Sequence, residues 1–147
     1  MRSAIVDAVI DPSALTAEVA NGGNGAVVLF LGTVRDTNDG RSVTGIEYSA
    51  YRSMAERELA AIVAEASLDF GTPDVVVEHR VGTLEIGDVS IAIAVAHAHR
   101  GAAYDASRHV IEQIKRRVPI WKRELYADGT REWVDPTARR ATAEAGR

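Results

Sequence analysis

From Val89 to His97 the chain reads VSIAIAVAH, nine residues without a charge before the closing histidine. A strand that is apolar on both alternating faces has to be covered on both sides. Other layers must therefore lie above and below it, which requires a packed α/β or α+β domain. With 147 residues the chain has room for one such domain and a core that needs no covalent staples.

The remaining elements follow from punctuation and period. Asp11-Pro12 opens a short helix whose Leu15 and Val19 face the core. Asn21 to Gly25 is a loop, and Ala26 to Val34 (AVVLFLGTV) reads as a buried strand. Asp39-Gly40 marks a turn in the polar loop Arg35 to Ser42, and Val43 to Tyr51 is the next strand. Ser53-Met54-Ala55-Glu56 has the form of a capping box opening a helix that runs to Phe70 and stops at Gly71. Leu59, Ile62, Val63 and Ala66 form its apolar stripe. Asp74 to Val81 is a strand, joined to Val89 to His97 by a loop around Gly82 and Gly87. A third helix spans about Ala102 to Arg117 and ends before Pro119. Ile120 to Tyr126 follows as a strand, and Asp128-Gly129 turns the chain back to Arg131 to Val134. The pattern predicts a single α+β domain over residues 1–134, with three helices and a mixed, largely antiparallel sheet. Residues 135–147, small and charged, read as a flexible tail.

Composition excludes several chemistries. There is no cysteine, so disulfides, thiolate metal sites and a cysteine nucleophile are ruled out. Any sulfur chemistry must use sulfur brought by another molecule. The formal net charge of -4 and an aromatic content of 5% argue against nucleic-acid binding. No apolar run is long enough to span a bilayer, and no secretory signal opens the chain, so a cytoplasmic protein without a membrane partner is expected.

Against that acidic background, Lys115-Arg116-Arg117-Val118-Pro119-Ile120-Trp121-Lys122-Arg123 concentrates five basic residues. Lys115 and Lys122 flank the helix-breaking Pro119. Neighbouring like charges and partial burial by Trp121 and Pro119 are what tune a lysine for acid, base or nucleophilic work. The same charges also fit a solvated helix end, where cations favour the negative end of the dipole. At 100° per residue Lys115 borders the apolar stripe of Val110, Ile111 and Ile114, whereas Arg116 points away from it.

Further candidates lie elsewhere. Arg35, at the mouth of a loop after a core strand, suits a bidentate grip on phosphate or carboxylate, or is a surface arginine. His99 and Arg100 precede a helix, where anions are favoured, and Gly101 permits close approach. His97 and His99 share a strand face, but no third ligand has suitable spacing, so no metal site is expected. Glu124 alternates with Arg123 on its strand and either pairs with Lys122 or forms a cross-strand pair with Arg131. His79 and His109 read as ordinary structural or surface histidines. No phosphate loop, calcium loop or nucleophile elbow is present.

Five stretches, in order, resemble the large, catalytic subunit family of molybdopterin synthase: GAVVLFLGTVRD (Gly25 to Asp36), IEYSAYRSMAERELAAI (Ile46 to Ile62), HRVGTLEIGD (His79 to Asp88), AHR (Ala98 to Arg100) and IKRRVPIWKRE (Ile114 to Glu124). The resemblance implies a hammerhead-like α+β fold and a sulfurtransferase that needs no bound cofactor. It implies two substrates, cyclic pyranopterin monophosphate and the thiocarboxylated C-terminal Gly-Gly of a small ubiquitin-like subunit, and a dithiolene product in molybdenum cofactor biosynthesis. It also implies a homodimer of large subunits within a heterotetramer. Carried over residue by residue, Lys115 and Lys122 match the pocket lysines, and Arg35, His99 and Arg100 match substrate-binding positions. Glu124 matches an acidic position of the same motif. In the resembled family the His-Arg pair is expected to reach the pocket across the dimer. His97 departs from the family's small or hydroxylated residue and takes no role from it. The competing reading is a non-catalytic module that binds a phosphorylated ligand or an acidic partner tail through the same basic patch.

Overall fold

The computed structural model describes residues 1–134. The expected tail, 135–147, lies outside the described residues. Within the described residues three helices pack against nine strands, which form two sheets. The first sheet contains β1 (Arg2–Val6), β2 (Ala26–Thr33), β5 (Val75–Arg80) and β7 (Val89–His97), in the order β1-β5-β7-β2. The second contains β3 (Thr37–Asn38), β4 (Arg41–Ala50), β8 (Ile120–Tyr126) and β9 (Trp133–Val134), with β6 (Gly82–Glu85) also paired to β4. Among the described residues only the β1–β5 pair is parallel. The α+β class holds, but the strands divide into two sheets where one was expected. The strands β1, β3 and β6 have no counterpart in the sequence expectation.

Strand β7 is covered on both faces, as its composition requires. Ile91, Ile93 and Val95 face α2 (Arg52–Phe70) and α3 (Arg100–Arg117), packing with Leu59, Ile62, Val63, Val110 and Ile114. Ala92, Ala94 and Ala96 face α1 (Pro12–Val19), against its Leu15 and Val19. The alternation of large and small side chains lets a short helix approach one face while two long helices fill the other.

Two local expectations change. The capping box does not form: α2 begins at Arg52, its N-cap is Tyr51, and no side chain caps it. Glu56 is instead paired with Arg52, which also reaches Asp7 and the carbonyl of Ile5. A tertiary anchor to β1 has replaced the local one. Strand β2, expected to be buried, is an edge strand on which Val27, Leu29 and Leu31 are exposed. Other helix ends agree with the sequence. Asp11 caps α1 through Ser13 and Ala14, and Gly71 closes α2 at φ 67°. No helix among the described residues is long and apolar enough to cross a membrane.

Candidate active site

Pro119 builds the site. It ends α3, leaving Val118 extended at φ -83° and ψ 123°, and its carbonyl accepts from Tyr51 N–H. The chain therefore passes directly from α3 into β8, which pairs along β4 with Ile120 opposite Ala50. Lys122 then sits opposite Tyr48, and Glu124 opposite Ile46. Directly opposed residues share a face. These four side chains line one cavity of about 170 Å³, together with Arg35, Thr37, Ser90 and Lys115. The intervening Arg123 points to the other face, where it pairs with Glu47 and lies over the Trp133 ring. Strand period thus separates the pocket lysine from its arginine neighbour.

Within the cavity Lys122 Nζ lies 3.5 Å from Glu124 Oε1, and both side chains are largely withdrawn from solvent. Glu124 pairs with Lys122 and forms no cross-strand pair with Arg131 among the described residues. Tyr48 is half-buried, and its withdrawal from water raises its pKa; a hydrogen bond with Ser90 opposes the rise and the Glu124 charge adds to it. Ser90 also donates to the Gly32 carbonyl at 3.2 Å. A second cavity of about 170 Å³, lined by residues including Asn38, Arg41, Tyr126 and Arg131, shares Lys122 and Glu124 with the first. There the Arg41 guanidinium stacks 3.6 Å over Tyr126. Two cavities thus meet at one lysine–glutamate pair.

Arg35 is placed by the end of β2. A bulge interrupts the β2–β7 register between Gly32 and Thr33. A Cβ on Gly32 would lie 2.7 Å from Ile91 Cγ2, so only glycine lets the strands approach here. Val34 then bonds Asp88 and Gly87 through its backbone, which holds Arg35 exposed at the cavity rim.

His99 and Arg100 are not in this cavity. They stand at the N-terminal end of α3, while Lys115 is in its last turn. Fifteen residues of helix separate Arg100 from Lys115, about 22 Å along the axis. Both residues are exposed beside the start of β2, where a Cβ on Gly25 would lie 2.7 Å from the Ala98 carbonyl oxygen. His97 supports this corner. Its Nδ1 accepts from His99 N–H at 2.9 Å, so its single proton is on Nε2, which donates to the Phe70 carbonyl at 3.0 Å. One protomer therefore assembles Arg35, Lys115, Lys122 and Glu124, and leaves the His99-Arg100 pair outside.

Sequence reasoning passed over two residues that the fold brings to the site. Tyr48 lies within the stretch Ile46 to Ile62 that carries the resemblance, which assigns it no role. His79 reads in the sequence as an ordinary histidine; in the fold it is buried, and lines a small recess that opens onto both lysines. The signal for Tyr48 was its register against Lys122. For His79 it was the odd-numbered face of β5, shared with the core residues Val75 and Val77.

The profile of the MoaE protein family matches residues 5–117 of the chain. The chain belongs to the MoaE family. A molybdopterin synthase catalytic subunit of Thermoplasma volcanium is 41% identical over 84% of this chain and 90% of its own length. The crystal structure of molybdopterin synthase from Staphylococcus aureus superposes with a TM-score of 0.81 at 39% identity, covering 88% of this chain and 94% of that one. A complex of subunits 1 and 2 of molybdopterin-converting factor from Helicobacter pylori gives a TM-score of 0.71 at 25% identity, covering 90% of this MoaE chain and 89% of that one. Among the described residues of this MoaE protein, no group of His, Asp and Glu is arranged to hold a metal ion.

Proposed function

We propose that the chain is the catalytic subunit of a molybdopterin synthase. It would transfer sulfur from the thiocarboxylated tail of a small ubiquitin-like subunit to cyclic pyranopterin monophosphate. The observation that carries this reading is the meeting of two cavities at the Lys122–Glu124 pair. Two anionic substrates need separate approaches to one reacting centre. Family membership supplies the reaction class, and the basic lining supplies the charge that both anions require.

In this reading Arg35, at the rim of the first cavity, grips the phosphate in the bidentate manner guanidinium allows. Lys115 neutralises the thiocarboxylate and holds it near the acceptor carbon. Lys122 moves a proton at Nζ as acid or base, oriented by Glu124. The donor tail approaches through the second cavity, past Arg41 and Arg131.

The His99-Arg100 pair enters from a second copy. Strand β2 is an unpaired edge with Val27, Leu29 and Leu31 exposed on one face. Its other face borders an open groove lined by Phe30, Tyr104 and Ile111. An exposed apolar edge strand invites pairing with another chain. A two-fold axis across β2 would set the start of one copy's strand, beside Ala98 to Arg100, against the end of the other's, beside Arg35. We extend the proposal to a heterotetramer in which a small subunit docks on each copy of that dimer, and to a cytoplasmic location.

The test is reconstitution. The purified chain, the thiocarboxylated small subunit and cyclic pyranopterin monophosphate should yield the dithiolene product, and Lys122→Ala should lose it. No product from the wild-type chain, or full activity in Lys122→Ala, overturns the reading. In the same assay Arg35→Ala should weaken binding of the pterin more than that of the small subunit. Unchanged pterin binding by titration removes Arg35 from the phosphate site.

A further inference from the structure

Behind the two lysines the first cavity continues into a recess of about 20 Å³, lined by Tyr48, His79, Ile114, Lys115, Val118, Ile120 and Lys122. It has room for about one water molecule. Its polar groups are unequal. Two are ammonium donors, and one is a phenol already engaged with Ser90. The fourth is an imidazole.

The state of that imidazole follows from its surroundings. His79 Nδ1 lies 2.9 Å from the Arg80 carbonyl oxygen. A carbonyl only accepts, so Nδ1 carries a proton. Burial disfavours the charged ring and pushes its pKa down to about 4; the bond to Arg80 opposes the shift, and the charge of Lys115 adds to it. The ring is therefore neutral near pH 7 and has one proton, already on Nδ1. Its Nε2 is a bare acceptor. The ring cannot turn freely, because Tyr48 packs edge-on against it at 5.2 Å and 78°. The recess thus brings a ring with a bare acceptor nitrogen beside the lysine whose field it feels.

We propose that His79 is a positioning residue of the lysine pocket: its unprotonated Nε2 accepts one hydrogen of the Lys115 ammonium and directs the other two into the cavity. An ammonium on a four-carbon stem has many rotamers, and a fixed acceptor removes most of them. Two directed hydrogens match the two terminal atoms of a thiocarboxylate. This role rests on the proposed sulfur-transfer reading, since it is Lys115's task there that His79 serves. It accounts for a buried histidine that no described ion pair uses.

Two substitutions and one spectroscopic measurement test it. His79→Leu fills the space without an acceptor, whereas His79→Gln keeps an acceptor oxygen. His79→Leu should lower kcat by up to about a hundredfold, the scale of a misplaced reacting group, while KM for the small subunit changes little. His79→Gln should recover most of that loss. Wild-type kcat in His79→Leu, or equal losses in both variants, overturns the proposal. Independently of activity, nitrogen-15 spectra of the His79 ring should show protonated Nδ1 and bare Nε2. The Nε2 resonance should move in Lys115→Met, and an unmoved resonance rules out the contact. The spectra need no turnover and no altered His79. They therefore stand if His79→Leu fails to fold, and they separate failure of this contact from failure of the sulfur-transfer reading.

Discussion

The two ends of α3 both carry cationic residues of the candidate site, yet they are built differently. At the C-terminal end Pro119 folds the chain back into β8, and Lys115 is joined by Lys122, Glu124, Tyr48 and His79 from neighbouring strands. At the N-terminal end His99 and Arg100 stand exposed at the rim of an edge strand, with only the backbone organised by His97. One end is a finished pocket. The other is a pair of donors held ready on a surface. A helix about 22 Å long between them means that a single protomer cannot use both ends on one substrate. The isologous pairing proposed above would resolve the difference, because it would set unlike ends of two identical strands side by side.

Lys122→Ala should break the finished end outright, lowering kcat by about a hundredfold to ten-thousandfold, the range for loss of a proton-transfer group. Steady-state assay of dithiolene formation checks this; a loss confined to KM would reassign Lys122 to binding.

Acid stability should also be written at this end. The His79 ring has a pKa near 4 when folded, against 6.5 for the ordinary value. As pH falls, protons bind the unfolded chain first. Stability is therefore full above about pH 6.5 and declines towards pH 4, by on the order of 3 kcal/mol. Denaturant melts of the wild-type chain across that window should show the decline, and His79→Gln should flatten it. An equally steep decline in His79→Gln would place the acid sensitivity elsewhere.

The exposed end should respond more mildly. If Arg100 holds the pterin as proposed, Arg100→Ala removes a charged contact worth about 1.5–3 kcal/mol, and should raise KM for the pterin while leaving the monomer's melting temperature unchanged. Arg116→Ala is the control. Its residue is exposed in the same turn as Lys115 but on the far side of the helix. Activity should be unchanged.

Much of this contrast was legible in the sequence, and the reason is local. Proline punctuation, strand alternation and the apolar stripe together placed Lys115, Lys122 and Glu124, because all three lie within ten residues of one turn. Arg35 was legible as a residue closing a core strand. What stayed hidden depends on partners far along the chain. Strand β6, four residues bounded by Gly82 and Gly87, is a strand because β4 pairs with it. The capping box gave way because Arg52 found Ile5 in β1 and Asp7 just after it. The exposure of β2 is set by its place at the sheet edge, which no period within AVVLFLGT reveals. His79 looked unremarkable because its meaning comes from Lys115, thirty-six residues later.

The contrast between the ends reduces to one mixing experiment. Lys122→Ala lacks the pocket lysine, and the double variant His99→Ala/Arg100→Ala lacks the surface pair; with pterin held below the wild-type KM, each alone should be nearly inactive. After the two are unfolded together and refolded with the small subunit, half the dimers are mixed, and one of the two sites in each is intact. A site shared between two copies should recover about a quarter of wild-type activity. A mixture no more active than its components would contradict a site shared between two copies.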